Sequence, residues 1–390
     1  MKRISVAERA NWRAYAEEVG FNFHTFDGEP YWDETAYYQF SLQQIEDDLE
    51  APTEELHQMT MDMVGDITRS EEMLTLLNIP RDFWSYIWNS WNKGEPHLYG
   101  RFDLVYDGTG PAKLLELNYD TPTSLFETGF FQWVWLEDQI KAGVLPAHAD
   151  QFNSLHDKIE QAFAQLALPQ PFYFTSVRDN IEDRGTVNYL MDMAAQSGVD
   201  VRYIALEDIG ELNEQFVDLD NQPIKGLFKL YPWEFMVQED FARTITAANT
   251  QMIEPAWKML LSNKGILPLL WQRYPNHPNL LPAFFETATS EPLGAGWVRK
   301  PLFSREGANV DLITASGEKI SAAGPYADGR YVRQALHALP KYRDEYRNAD
   351  TYAMLGSWIV GDSAAGICIR EDESLITKDT SRFLPHIILD

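Results

Sequence analysis

Apolar positions recur at roughly helical spacing through most of the first 95 residues. Thr35 to Leu49 and Glu54 to Ile67 carry them with acidic residues between, which predicts two helices, the second entered at Thr53-Glu54-Glu55. Pro80 opens an aromatic segment, PRDFWSYIWNSW, that reads as core packing. The period then changes. Arg101 to Tyr106 mixes polar and apolar residues in near alternation, and Lys113 to Asn118 is Leu-rich. The Asp107-Gly108-Thr109-Gly110 stretch between them reads as the turn of a β-hairpin. Residues 130–165 return to a helical pattern that predicts burial of Phe130, Phe131, Trp133, Val134 and Trp135.

Pro171 to Val177 is strand-like, Glu182 to Ser197 is helical with Gly198 as its C-terminal stop, and Val201 to Ala205 is a second strand. This is a β-α-β unit, the building block of a parallel sheet. Gly226 to Tyr231 adds a third strand. Glu254 to Lys264 has a proline in its first turn and an apolar face. Trp297 to Pro301 and Tyr331 to Leu336 read as strands, and Ser357 to Val360 and Gly366 to Arg370 as a strand pair turning at Gly361-Asp362. The pattern divides the chain into 1–168, a helical region with the hairpin; 169–255, a small α/β domain; and 256–390. The fold class is α/β (α+β). There is no internal repeat and no low-complexity tract.

The 390 residues are 45% hydrophobic and 13% aromatic, which indicates a packed globular protein. The formal charge of −27 repels nucleic acid and anionic membranes, so no nucleic-acid or membrane partner is expected. A lone cysteine, Cys368, excludes an internal disulfide and fits a reducing compartment. The N-terminus lacks an apolar signal core, and no stretch approaches the length of a membrane span. A cytoplasmic protein is expected.

Positions two apart on a strand face the same way. Arg101 and Asp103 therefore share a face of the hairpin, as do Glu116 and Asn118. If the strands pair, three oxygen-bearing side chains and a guanidinium converge. Such hard oxygen ligands suit Mg²⁺, which keeps phosphate and water in its remaining positions. The alternative is a surface hairpin with an Arg–carboxylate cross-strand pair. Lys300 ends a strand and is followed by the polar loop FSREGANV, residues 303–310. With Ser304, Gly307 and Asn309 it has the form of a phosphate holder, or of a solvated loop. Lys264 either follows a helix end or joins it. The histidines do not cluster, the G-x-S-x-G elbow is absent, and Cys368 between isoleucines reads as a buried strand residue.

RFDLVYDG…LLELNYDTPTSLFET, LFKLYPWEFM, EPAWKMLLSNKGILPLLWQRYPNHPNLLPAFF, VRKPLFSREGANV and GICIREDESLIT resemble the glutathionylspermidine synthase family, above all its stand-alone bacterial acid–amine ligases. The likeness spans about residues 5 to 386. It implies an ATP-grasp fold with an α/β pre-ATP-grasp region at 169–255, and the joining of a carboxylate to an amine with Mg-ATP. Carried over residue by residue, Arg101, Phe102 and Asp103 would touch the nucleotide phosphates, with Arg101 stabilising the transition state. Asp103, Glu116 and Asn118 would hold one or two Mg²⁺ ions. Lys264 and Lys300 would be the ATP-grasp lysines, and Gly307 would lie in the loop over the phosphates. Gln334 and the backbone near Ile369 would line the adenine pocket. Arg305 and Arg370 would anchor the acid, and Thr121 and Thr123 would contact a peptide-like substrate. The bifunctional members carry an amidase domain with a catalytic Cys; this chain opens on the synthetase region, so hydrolysis of the conjugate is not expected. Threonines at 121 and 123, similar to the family's hydroxyl residues there without making an identical pocket, leave the acid and amine unassigned.

The implied chemistry is coherent by itself. Phosphorylation makes a carboxylate oxygen a leaving group, and the cations neutralise the transferring phosphoryl. A loop that excludes water protects the acyl phosphate, and 303–310 is the candidate. The acidic surface serves solubility and would attract a polycationic amine. The alternative is a nucleotide-binding protein of the same fold that does not ligate and acts through a partner. A kinase or carboxylate phosphatase is a third reading, separated from a ligase by the need for an added amine.

Overall fold

The computed structural model describes residues 1–26, 28–287, 293–294, 296–326, 329–378 and 380–390. Its frame is a six-stranded antiparallel sheet. The order is Arg382–Leu384, Ser363–Asp372, Ala349–Val360, Tyr99–Val105 and Lys113–Asn118, with Lys341–Asp344 on the Ala349–Val360 strand. Its central strands are buried on both faces. Leu355, Ile359, Ile367 and Ile369 feed one apolar cluster with Leu56, Met63 and Val64 of the Ala51–Ile67 helix. Trp358, Val360 and Cys368 feed another with Trp135, Ile159 and Phe163 of the Gln132–Lys141 and Leu155–Gln165 helices. Full burial of each large apolar side chain contributes roughly 1.5–3 kcal/mol. It also explains why these strands read as near-continuous apolar runs.

A four-stranded parallel sheet runs Gln251–Ile253, Gly226–Lys229, Phe172–Thr175, Val201–Tyr203, with the Ile181–Gln196 helix as its first crossover. The expected β-α-β unit is therefore present. A five-stranded antiparallel sheet runs Ala283–Phe285, Tyr331–Ala335, Trp297–Pro301, Asp311–Ile313, Lys319–Ser321. No helix of the described residues is long and apolar enough to cross a membrane.

The helical pattern misled at four places. Ala36–Phe40 is a strand, because Lys2–Ser5 pairs with it antiparallel and His386–Ile388 parallel. The helix that follows begins at Leu42 rather than at Thr53. Ser41 and Gln44 close a reciprocal capping box, the Ser-x-x-Gln signature of a helix start. Thr53 lies within the helical run, its hydroxyl bonded to that of Ser357. Trp133 is 49% exposed and Phe130 half-buried. The five-residue π turn at Glu127–Phe131 shifts the phase, so that Phe131, Val134 and Trp135 take the core face. Glu254 to Lys264 holds only the short 3₁₀ turn Ala256–Leu260, all of it buried and hence without a polar face.

Candidate functional site

Strand pairing sets Arg101 opposite Asn118 and Asp103 opposite Glu116. All of these side chains line one cavity of about 600 Å³, and so do Lys264, Lys300, Arg305, Gly307, Gln334 and Arg370. The cavity lies at the carboxyl ends of the parallel strands, where Val177, Asn180, Leu230 and Tyr231 form its side, the usual place for a ligand in such a sheet.

The hairpin side is a charge lattice. Arg101 Nε donates to Asp103 Oδ1 at 2.7 Å and its Nη1 to the Thr123 carbonyl at 2.9 Å. Asn118 Nδ2 donates to Asp103 Oδ2 at 2.9 Å. Burial raises the Asp103 pKa; Arg101 opposes the rise and Glu116 adds to it. Burial would raise Glu116 also, but Lys264 and then Lys300 overcome it and hold this carboxyl at about 2. Lys264 Nζ lies 3.3 Å from Glu116 Oε2 and donates to the Ser304 carbonyl at 2.7 Å. Lys300 Nζ donates to the Leu115 carbonyl at 2.9 Å and to Gln334 Oε1 at 3.0 Å. Burial lowers Lys300 to about 8, against the pull of Glu116. Gln334 turns its own amide to the Leu114 carbonyl. It therefore ties Lys300 to the hairpin backbone.

Gly307 occupies a left-handed conformation, φ 69°, and a Cβ there would meet Ile376 Cγ2 at 2.6 Å and the Thr377 carbonyl oxygen at 2.7 Å. The 303–310 loop thus rests on residues 375–378, which also line the cavity. Arg305 pairs with Glu234 at 3.2 Å, so its guanidinium already has a carboxylate partner. Arg370 is held by the carbonyls of Ser381 and Lys378 and by the Ser124 hydroxyl. The hydroxyls of Thr121 and Ser304 are buried in the wall without a protein hydrogen-bond partner, the state of groups that a ligand satisfies.

Two residues singled out from the sequence point elsewhere. Phe102 alternates to the far face of its strand and packs on Tyr119, centroids 5.2 Å apart. The Ile369 side chain is fully buried in the core, whereas the expectation there concerned the backbone. The apolar wall is built instead from Val298, Leu312, Leu336, Met354 and Leu375. Glu182 and Asp183, in the first turn of the Ile181–Gln196 helix, add an acidic pair to the cavity lining that the sequence reading missed. Burial, reinforced by Glu182, raises Asp183 to about 7. The Asn180 cap, which accepts from the Asp183 N–H, was the available signal for that helix start.

Among the described residues no group of three or more His, Cys, Asp and Glu side chains is arranged to hold a metal ion. A cation at the hairpin would rest on the Asp103 and Glu116 carboxylates and the Asn118 amide. A few hard oxygen donors, with room left for other ligands, are the donor set that Mg²⁺ takes, so the residues fit that ion.

Residues 3–389 match the family model described as glutathionylspermidine synthase preATP-grasp. The chain is 42% identical over 385 residues to a Haemophilus influenzae protein that carries the provisional name acid–amine ligase, covering 94% of each. It is 26% identical over 398 residues to the bifunctional glutathionylspermidine synthetase/amidase of Escherichia coli, covering 95% of this chain and 61% of that protein. A glutathione synthetase-like effector from Globodera pallida, solved in its apo form, superposes with a TM-score of 0.56 at 12% identity, over 90% of this chain and 89% of the other. That likeness shows the fold, which is of the ATP-grasp type.

Proposed function

The chain belongs to the glutathionylspermidine synthase family, and on that premise we propose that it is an ATP-dependent acid–amine ligase that releases ADP and phosphate. The observation that carries this reading is the convergence of Arg101, Asp103, Glu116, Asn118, Lys264 and Lys300 on one cavity. The substrate carboxylate attacks the γ-phosphorus of ATP, and ADP leaves. The amine nitrogen then attacks the acyl carbon, phosphate leaves, and the nitrogen loses a proton. Arg101 and Lys300 line the same cavity and would meet the developing phosphoryl charge, and Lys264 sits beside the 303–310 loop. Mg²⁺ held by Asp103, Glu116 and Asn118 would neutralise and orient the phosphates.

The chemistry of the walls supports a class of acid and a class of amine. Arg370, Thr121 and Thr123 offer donors to a carboxylate of peptide-like size, and Glu182 and Asp183 offer anions to an ammonium group. A glutathione-like peptide and a polyamine fit those walls. A group with a pKa near 7, Asp183, is also suited to take the amine's proton at neutral pH. With a single cysteine, buried and in a strand, a cytoplasmic location is the proposal.

The test is ADP release by the purified protein across pairs of acids and amines, beginning with glutathione and spermidine. Release that needs both partners supports a ligase. Release with an acid alone, unaffected by any amine, would make it a kinase. ATP binding with no turnover on any pair would favour the non-ligating reading.

A further inference from the structure

Behind the cavity, two ion pairs are buried to the last few per cent. Asp120 and Lys229 are each 1% exposed, and Glu254 and Lys258 are each 0% exposed. Lys229 Nζ reaches Asp120 Oδ1 at 2.5 Å, and Lys258 Nζ reaches Glu254 Oε2 at 2.5 Å. None of these side chains lines the cavity, yet their remaining bonds go to the segments that carry its lining residues. The Glu254 carboxylate accepts from the N–H groups of Leu98 and Tyr99, and Lys258 donates to the Tyr99 carbonyl. That fixes the start of the strand carrying Arg101. The other Asp120 oxygen accepts from the Trp233 N–H at 2.7 Å, and the Asp120 N–H donates to Ser262 Oγ at 3.1 Å. That fixes the end of the strand carrying Asn118. Lys229 also donates to the Tyr231 carbonyl, and Tyr231 lines the cavity. Trp233 joins the two pairs, since its indole N–H donates to the Glu254 carbonyl.

We propose that Asp120, Lys229, Glu254 and Lys258 are positioning residues. They form a clamp that holds the Arg101–Asn118 end of the hairpin against the parallel sheet and the Lys264 segment. Arg101 lies two residues past Tyr99, and Asn118 two before Asp120, on directly paired positions. Both strands are thus pinned at the same end, next to the groups that face the phosphates. Ser262, two residues before Lys264, brings that lysine into the same frame. Charges removed from water are a poor source of net stability, since a packed apolar set can serve as well or better. What full hydrogen bonding of such a set supplies is fixed geometry. Misplacement of a reacting group by one ångström is enough to cost about a hundredfold in rate.

This inference rests on the reading that the cavity takes Mg-ATP. Calorimetry with ATP is compared in Mg²⁺ and in excess chelator, for the wild type and Asp120→Asn. The clamp predicts that the variant loses roughly 10–100-fold in affinity for ATP with Mg²⁺. In chelator, where the apolar wall would dominate, affinity stays within about twofold. Amide exchange of the ligand-free protein should quicken at 99–101 and 118–120 above other strands. Lys229→Arg, which keeps the cation, should keep most of the Mg²⁺-dependent affinity. Equal losses in both conditions would mean a general structural role, and unchanged binding by a folded variant would remove the clamp outright. If Asp120→Asn does not fold, Ser262→Ala removes only the bond to the Asp120 N–H. It should show the same split on a smaller scale, and no split overturns the proposal. A wild type that does not bind Mg-ATP would instead overturn the ligase reading on which the clamp stands.

Discussion

The Lys264 ammonium stands 3.3 Å from the Glu116 carboxylate inside the cavity, with Lys300 as the carboxylate's second cation. The pair has a consequence for stability. Glu116 is held at about 2 against an ordinary 4.5. A carboxyl depressed in the folded state contributes stability above its unfolded value, and loses it as pH falls through the folded one. The contribution is therefore complete above about pH 4.5 and fades toward pH 2. Glu116→Gln leaves two lysines without their counter-charge and should lower unfolding free energy at pH 7 by about 1–3 kcal/mol. The low end is expected, because the Glu116 side chain is 27% exposed. Urea denaturation at pH 7 and at low pH reads this out. An equal midpoint at pH 7 would remove the electrostatic role of the pair.

Lys300 gives the cavity a pH dependence of the opposite sense. Burial lowers this lysine to about 8, so above that pH the empty cavity loses a positive charge. A bound triphosphate stabilises the charged form and raises the pKa. Nucleotide binding should thus weaken as pH rises through about 8, and binding in that range should take up a proton. Calorimetry in buffers of different ionisation enthalpy measures the uptake. Lys300→Met should abolish it while Lys264→Met should not.

How much of this was legible in the sequence depends on what each element answers to. The Arg101–Asn118 hairpin was readable because a short turn and alternation fix register locally. The β-α-β unit was readable because its two strands and the helix between them follow one another in the chain. Ala36–Phe40 was not, since its partners are the two ends of the chain, out of reach of any local pattern. The direction of Phe102 was open to simple alternation, because Arg101 and Asp103 already claimed the cavity face. The acidic patch at Glu182 and Asp183 was hidden. Nothing local distinguishes it from an ordinary acidic first turn, and only the fold carries it to the cavity.

Gly356 pairs with Asp103 on the central strand, and a Cβ there would meet Arg101 Cδ at 2.7 Å and Cys368 Sγ at 2.6 Å. The glycine makes room for the guanidinium to lie along the sheet. Gly356→Ala should therefore push Arg101 off Asp103. The expected result is a folded protein with a kcat lowered by roughly 10²-fold, the effect of small misplacements of reacting groups. A crystal structure and kinetics of the variant test this. Arg101 in place with kcat unchanged would show that the neighbours give way instead.

The loop at 303–310 is tied by Lys264, by the Arg305–Glu234 pair and by the contact of Gly307 with residues 376–377. Lys264 is also a group that a phosphate ligand would engage on the proposed reading. Mg-ATP should accordingly slow tryptic cleavage after Arg305. Gly307→Ala, strained at φ 69° and short of space, should speed cleavage in the free protein and blunt the protection. Cleavage at the same rate with and without Mg-ATP would argue for a loop that takes no part in closure.

The position of Arg101 also predicts which nucleotide is made. Its guanidinium lies with Asp103 at the hairpin, on the same cavity as Lys264 and Lys300, and burial fails to discharge it because Asp103 raises its pKa further. On the proposed reading, a permanent cation there would stabilise charge on the transferring terminal phosphoryl group, and hence an acyl phosphate with ADP as the leaving group. An adenylating enzyme would need that stabilisation at the α-phosphorus and would release AMP and pyrophosphate. Chromatography of the nucleotides during turnover with an active acid and amine pair should find ADP and phosphate in step with the amide. Arg101→Ala should lower kcat by about 10²–10³-fold, as removal of one positioned donor does. The KM for ATP should change much less, because the contact strengthens in the transition state. The freed Asp103 loses its partner too, so Arg101→Lys is the control: it keeps a charge but not the paired N–H groups, and should recover only part of the loss. AMP as the product would overturn the assigned reaction, while full activity in Arg101→Ala would overturn the assigned residue and leave the reaction standing.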